Sequence, residues 1–168
     1  MVTFEEKRHE KCLLCSMKNL LAFSIVLFFF ASFKSALPEV NQKVVEYCKS
    51  KVGTQVDRGE CWDLAKFALD YAHAKWNPPY NYGEKFNYKK GGLLPGDIIQ
   101  FENVTFKWDL GAMSFPHHTA VVMEVKGDGK ITIAHQNFAG SKKVQLTELN
   151  LNYHKKGTLD FFHPVSEE

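Results

Sequence analysis

The stretch His118–Asn137, HTAVVMEVKGDGKITIAHQN, settles the second half of the chain. Two apolar runs, HTAVVMEV over 118–125 and ITIAHQN over 131–137, flank Lys126-Gly127-Asp128-Gly129-Lys130. An Asp-Gly pair between runs of β-branched residues predicts a two-residue hairpin turn, so this part of the chain is antiparallel sheet. If Gly127 opposes Lys130, a regular ladder brings His135 level with Val122, four residues from His118. The even separation puts the two imidazoles on one face, about 13 Å apart by strand rise, a gap that only twist or a bulge can close.

Working upstream, Pro95-Gly96-Asp97 turns the chain into IIQF, the start of another strand, and residues 102–116 read as a loop before His118. Residues 77–95 are polar, aromatic and Gly-rich, a connection long enough to suggest function. Further upstream the periodicity becomes helical. Val40, Val44 and Cys48 recur at four-residue spacing from Val40 to Lys51, with Gly53 as the stop. From Cys61 to Trp76, CWDLAKFALDYAHAKW places Cys61, Ala65, Ala68 and Ala72 on one face, and Asn77-Pro78-Pro79 ends it. Downstream, two strand-like runs cover 144–148 and 158–165. Helices first and an antiparallel meander afterwards define an α+β domain with its helices packed on the sheet.

The chain of 168 residues is 45% hydrophobic and 24% charged, which excludes wholesale disorder and rod-like repeats. Its net charge is only +2, and residues 1–36 carry five Lys/Arg against three Asp/Glu, leaving a neutral body. Nucleic acid is therefore not the expected partner, since phosphate binding draws on a basic excess. The run LLAFSIVLFFFASF, residues 20–33, is too short to span a bilayer and has the length of a signal-peptide core. Residues 1–36 are expected to be a leader, with Met17 as a possible true start, and residues 37–168 the functional domain. A secreted or periplasmic location follows, with membrane contact only if the leader stays uncleaved.

Four cysteines are too few to staple a fold. Cys12 and Cys15 form CLLC with no second ligand pair, and with no HExxH pattern or phosphate loop either, no metal or other cofactor is expected. Cys61 opens a helix, where backbone N–H groups favour an anion, so its thiol is either one that ionises readily and acts as a nucleophile or a small buried hydrophobe. Pairing with Cys48 in an oxidising compartment would abolish that reactivity.

Three ordered blocks carry a family resemblance: GECWDLA at 59–65, PGDIIQF at 95–101 and HTAVVMEVKGDGKITIAHQN at 118–137. Over residues 40–165 the chain resembles the cysteine- and histidine-dependent amidohydrolase/peptidase (CHAP) domains and the NlpC-type papain-like cysteine hydrolases. The resemblance implies a papain-like fold and cleavage of amide bonds, with peptidoglycan or peptide as substrate. It implies Cys61 as nucleophile, His118 as general base, His135 as the group orienting the base, and Asn137 as a polar partner. CHAP domains commonly carry an acidic residue where His135 stands. His117 is the alternative base, and Asp97 reads as a cap of the Pro-Gly turn. Trp62, Tyr80 and Tyr82 are candidate substrate-binding residues; the loop carrying Tyr80, Tyr82, Phe86 and Tyr88 is either a platform for a ligand or a segment folded over its own aromatics. The same blocks also resemble the domain at the end of a fungal cortical-actin adaptor, the myosin tail region-interacting protein. That resemblance implies the alternative of a catalytically weak scaffold that binds proteins or serves as a secreted effector. Oligomeric state is not legible.

Overall fold

A computed structural model describes residues 36–167; the expected leader, with Met17 and the run 20–33, lies outside the described residues apart from Ala36. Helix α1 spans Glu39–Lys51 and buries Asn41, Val44, Val45 and Cys48; of the stripe predicted from the sequence, Val44 and Cys48 are buried and Val40 is half-buried. Helix α2 spans Cys61–Tyr71 and buries Leu64, Ala65, Ala68 and Leu69. The small residues let α2 lie close against α1 and the sheet. It ends five residues earlier than expected because His73 takes φ +52°. Ala74–Lys75 then forms strand β1, which pairs with a terminal strand at Val165–Ser166. Among the described residues no helix is long and apolar enough to cross a membrane.

The main sheet comprises β2 (Glu84–Phe86), β3 (Ile98–Trp108), β4 (Gly111–Gly127), β5 (Lys130–His135), β6 (Gln145–Asn150) and β7 (His154–His163), with Val165–Ser166 as β8 outside it. Its order is β2-β7-β3-β4-β5-β6, and every neighbouring pair is antiparallel. This is the expected α+β architecture of N-terminal helices on an antiparallel sheet. The expected loop 102–116 is instead continuous hairpin, because Val104 and Phe106 on β3 pair with Phe115 and Met113 on β4 and bury an alternating apolar face. Only Leu151–Tyr153, one turn of 3-10 helix, joins β6 to β7 although three strands lie between them. In a flat sheet that separation is about 19 Å, beyond the roughly 14 Å reach of so short a connection. The sheet must therefore curl.

Curling encloses one face and leaves the other to the helices. Ile98, Val121, Ala134 and Phe162 pack with Leu64 and Ala65 of α2. Their chain neighbours Ile99, Ala120, Ile133 and Phe161 point the other way, into a core with Phe101, Phe106 and Phe115. With both faces apolar, burial worth roughly 1.5–3 kcal/mol for each large side chain fixes the strands from two sides.

The turn into β3 couples α1 to the sheet. Gly96 has φ +89°, and a Cβ there would stand 2.6 Å from the Asn41 carbonyl oxygen. Asp97 caps this turn as expected, its carboxylate accepting hydrogen bonds from Leu94 N (2.8 Å) and Asn41 Nδ2 (3.1 Å). His163 Nδ1 lies 2.9 Å from the same carboxylate.

Candidate functional site

Cys61 is the first residue of α2 and is 9% exposed. Cys48 and Cys61 are free thiols, so the disulfide weighed from sequence is not formed. The backbone before Cys61 is held by Gln136, which follows the end of β5 and points to the helix side of the sheet. Its Oε1 accepts from Val56 N (3.1 Å), and its Nε2 donates to Val56 O (3.0 Å) and Glu60 O (2.8 Å). Gln136 is fully buried, so these bonds satisfy its amide and lock the loop.

The expectation of a readily ionised thiol is not met. Burial pushes the Cys61 thiol above its ordinary range; hydrogen bonding by Thr119, backbone and side chain, and by the Trp62 backbone opposes the rise, and the Glu60 carboxylate adds to it. The helix terminus already holds carboxylates of its own. Asp63, wholly buried, accepts from Glu60 N (3.0 Å) and Arg58 Nη2 (3.1 Å). Glu60 accepts from Asn137 Nδ2 (3.0 Å), with Lys142 Nζ 3.6 Å away. The favourable field for negative charge is thus taken by side chains that repel a thiolate. Asn137 binds Glu60 rather than an imidazole.

The expected base lies behind the sheet. Because Thr119 contacts the Cys61 sulfur, its neighbour His118 projects from the opposite face, among Phe101, Phe115 and Phe138. His135 joins it there: His118 Nε2 and His135 Nδ1 are 2.8 Å apart, and His135 Nε2 is 2.8 Å from Thr147 Oγ1. Two register irregularities close the 13 Å gap of the regular ladder. They fall between Val122 and Glu124 and between Val125 and Gly127, so that Val121 pairs with Ala134 and His135 comes level with Ala120. Desolvation lowers His118 to about 3, with His135 and His117 adding repulsion, and desolvation lowers His135 to about 4. Each ring is neutral at pH 7. The structure brings His118 and His135 together and does not bring Cys61 to either; among the described residues no hydrogen bond joins them.

The side chains that do share the face of Cys61 are Gln100, Glu102, His117 and Thr119, on β3 and β4, with Tyr82 against them. Thr119 Oγ1 donates to Gln100 Oε1 (2.7 Å), which leaves the Tyr82 hydroxyl to donate to Thr119 (3.1 Å). Gln100 Nε2 donates to Glu102 Oε1 (2.9 Å), and His117 Nδ1 lies 2.8 Å from the same oxygen. At Glu102 burial works against the charge, but hydrogen bonds from His117 and Gln100 outweigh it and hold the carboxyl below its ordinary range. Gln100, Glu102, Thr119 and Gln136 are site residues that no motif in the sequence marks. Glu102 and His117 are cross-strand partners, a signal readable once β3 is extended past Phe101.

The three expected substrate-binding residues divide. Tyr82 is fully buried between Trp76 and Phe162, which removes it from any ligand contact. Trp62 is half-buried with Arg58 over its ring at 5.4 Å. Tyr80 is exposed and meets the His117 ring edge-on at 4.8 Å. Phe86 stacks on His163 and Tyr88 packs on Phe161, so these loop aromatics turn inward onto β7. Among the described residues no group of three His, Cys, Asp or Glu side chains is placed to hold a metal ion.

Residues 31–168 match the AIM3/BBC1 cysteine proteinase-fold domain, and the chain belongs to that family. It is 31% identical over 144 residues to "Altered inheritance of mitochondria protein 3" of Debaryomyces hansenii. The alignment covers 73% of this chain and 15% of the relative, so the chain corresponds to a small part of that protein's length. Two crystal structures of Ly7917, one with the hydrolysing product of MDP, superpose with a TM-score of 0.45 at 19% and 20% identity. They cover 73% and 74% of this chain and 62% of theirs.

Proposed function

We propose, with membership of the AIM3/BBC1 cysteine proteinase-fold family as the premise, that this domain serves as a protein-binding module on a hydrolase scaffold. The observation that carries this reading is the placement of His118 and His135 on the face of the sheet away from Cys61. Cysteine hydrolysis needs sulfur to lose its proton to a nearby ring nitrogen, and the ring then to protonate the leaving amine. Here the imidazole pair is neutral and enclosed, while the thiol is pushed toward its protonated form. Peptidoglycan amidase activity through Cys61, His118 and His135 has no geometric support.

A second reading has one specific observation behind it. His117, on the thiol's own face, is held by Glu102 at 2.8 Å, the pairing that orients a general base. Turnover by a Cys61–His117–Glu102 set is the hydrolase reading that this geometry leaves open.

One comparison tests the two. Wild-type protein and Cys61→Ala are incubated with muramyl dipeptide and with a fluorogenic peptide mixture, and product is followed by mass spectrometry. The module reading expects no turnover that depends on Cys61. Turnover abolished by Cys61→Ala and by His117→Ala, and retained in His118→Gln, would replace it with the second reading.

A further inference from the structure

We propose that the groove bounded by the one-turn helix Tyr88–Lys90, the β4–β5 hairpin tip and the one-turn helix Leu151–Tyr153 docks an acidic peptide segment of a partner protein. The proposal rests on the module reading and gives it a surface. The groove has a volume of about 500 Å³. Val125 is 41% exposed at its side and Tyr88 and Leu93 are half-buried along it, which offers an apolar floor above the buried Ile131 and Leu151. Lys89, Lys130 and His154 also line it, and no carboxylate does.

Lys89 and Lys130, like most lysines of this surface, form no ion pair among the described residues, but these two face a groove that no carboxylate lines. Glu148, the carboxylate near Lys130, is engaged by Lys126. Exposed ammonium groups beside an apolar floor match a segment that alternates Asp or Glu with Leu or Ile, the charges meeting the lysines and the apolar side chains the floor.

The walls are fixed before a ligand arrives. Leu151 N donates to Gly129 O (2.8 Å) and Asn152 Nδ2 donates to Asp128 O (2.9 Å), tying the hairpin tip to the second one-turn helix. Lys89 N donates to Asn87 Oδ1 (3.0 Å), fixing the first. A preformed site loses less conformational entropy on binding. Ile131 and Leu151 belong to the core on the face away from Cys61, so occupancy does not involve the thiol.

The test titrates the full chain into a fluorescein-labelled peptide alternating Glu and Leu, read by fluorescence anisotropy. Saturable binding is expected, weakened by added salt, at least about tenfold weaker in Lys89→Glu/Lys130→Glu, and unchanged in Cys61→Ala. Circular dichroism confirms that the charge-reversed chain is folded, and Val125→Asp supplies an independent variant expected to weaken binding as well. Equal binding of a Lys/Leu peptide or of oligothymidylate overturns the acidic-peptide assignment. Binding indifferent to these variants, or no saturable binding, overturns the groove and leaves the module reading standing. Cys61-dependent cleavage of the peptide overturns the module reading itself.

Discussion

His118 Nε2 and His135 Nδ1 stand 2.8 Å apart within an aromatic enclosure that also contains Phe115 and Phe138. In this position the two rings hydrogen-bond to each other and contribute shape to the curled core. The pair is built as an interior element, with Thr147 completing the chain of hydrogen bonds.

Stability is expected to fall with acid because of this pair. The ordinary histidine value is 6.5, and the folded values lie at about 3 and about 4. Below pH 6.5 the unfolded chain takes up protons that the folded chain refuses, so the contribution is complete above pH 6.5 and is lost as pH falls toward 4. The slope approaches about 1.4 kcal/mol per pH unit for each ring. Urea denaturation across this window checks it, and the double change His118→Phe/His135→Leu is expected to flatten the profile. A wild-type profile already flat between pH 7 and pH 4.5 would contradict the enclosed, neutral pair.

Gln136→Ala is expected to destabilise the domain by roughly 2–4 kcal/mol, since Val56 N, Val56 O and Glu60 O lose their partner together. Urea midpoints measure the loss. A change under about 0.5 kcal/mol would show that water replaces the clamp without cost.

The order of helices and strands and the Asp-Gly hairpin were legible because each depends on local periodicity and turn chemistry. The position of Cys61 at the start of a helix was legible for the same reason. Which side of β4 faces the helices was not. Along HTAVVMEV both alternate sets are apolar, so burial gives no sign of which set meets α2, and His118 and Thr119 are interchangeable from sequence. The irregularities around Met123 and Lys126, which move His135 two positions along the ladder, carry no Gly or Pro at the first of them to betray it. In the run HQN, His135 and Asn137 are the residues that the family resemblance points to. Gln136, between them, is the residue that reaches the backbone before Cys61.

The sheet separates the Cys61 thiol from both imidazoles, and the pH dependence of Cys61 alkylation by iodoacetamide tests that separation most directly. Measured in wild type and in His118→Gln, with Cys61 followed by peptide mapping, the rate is predicted to rise with a midpoint above the ordinary thiol value of 9.0 and to keep that midpoint in the variant. A midpoint below about 8 that climbs when His118 is replaced would mean that the ring and the sulfur share a proton, and the account would be wrong.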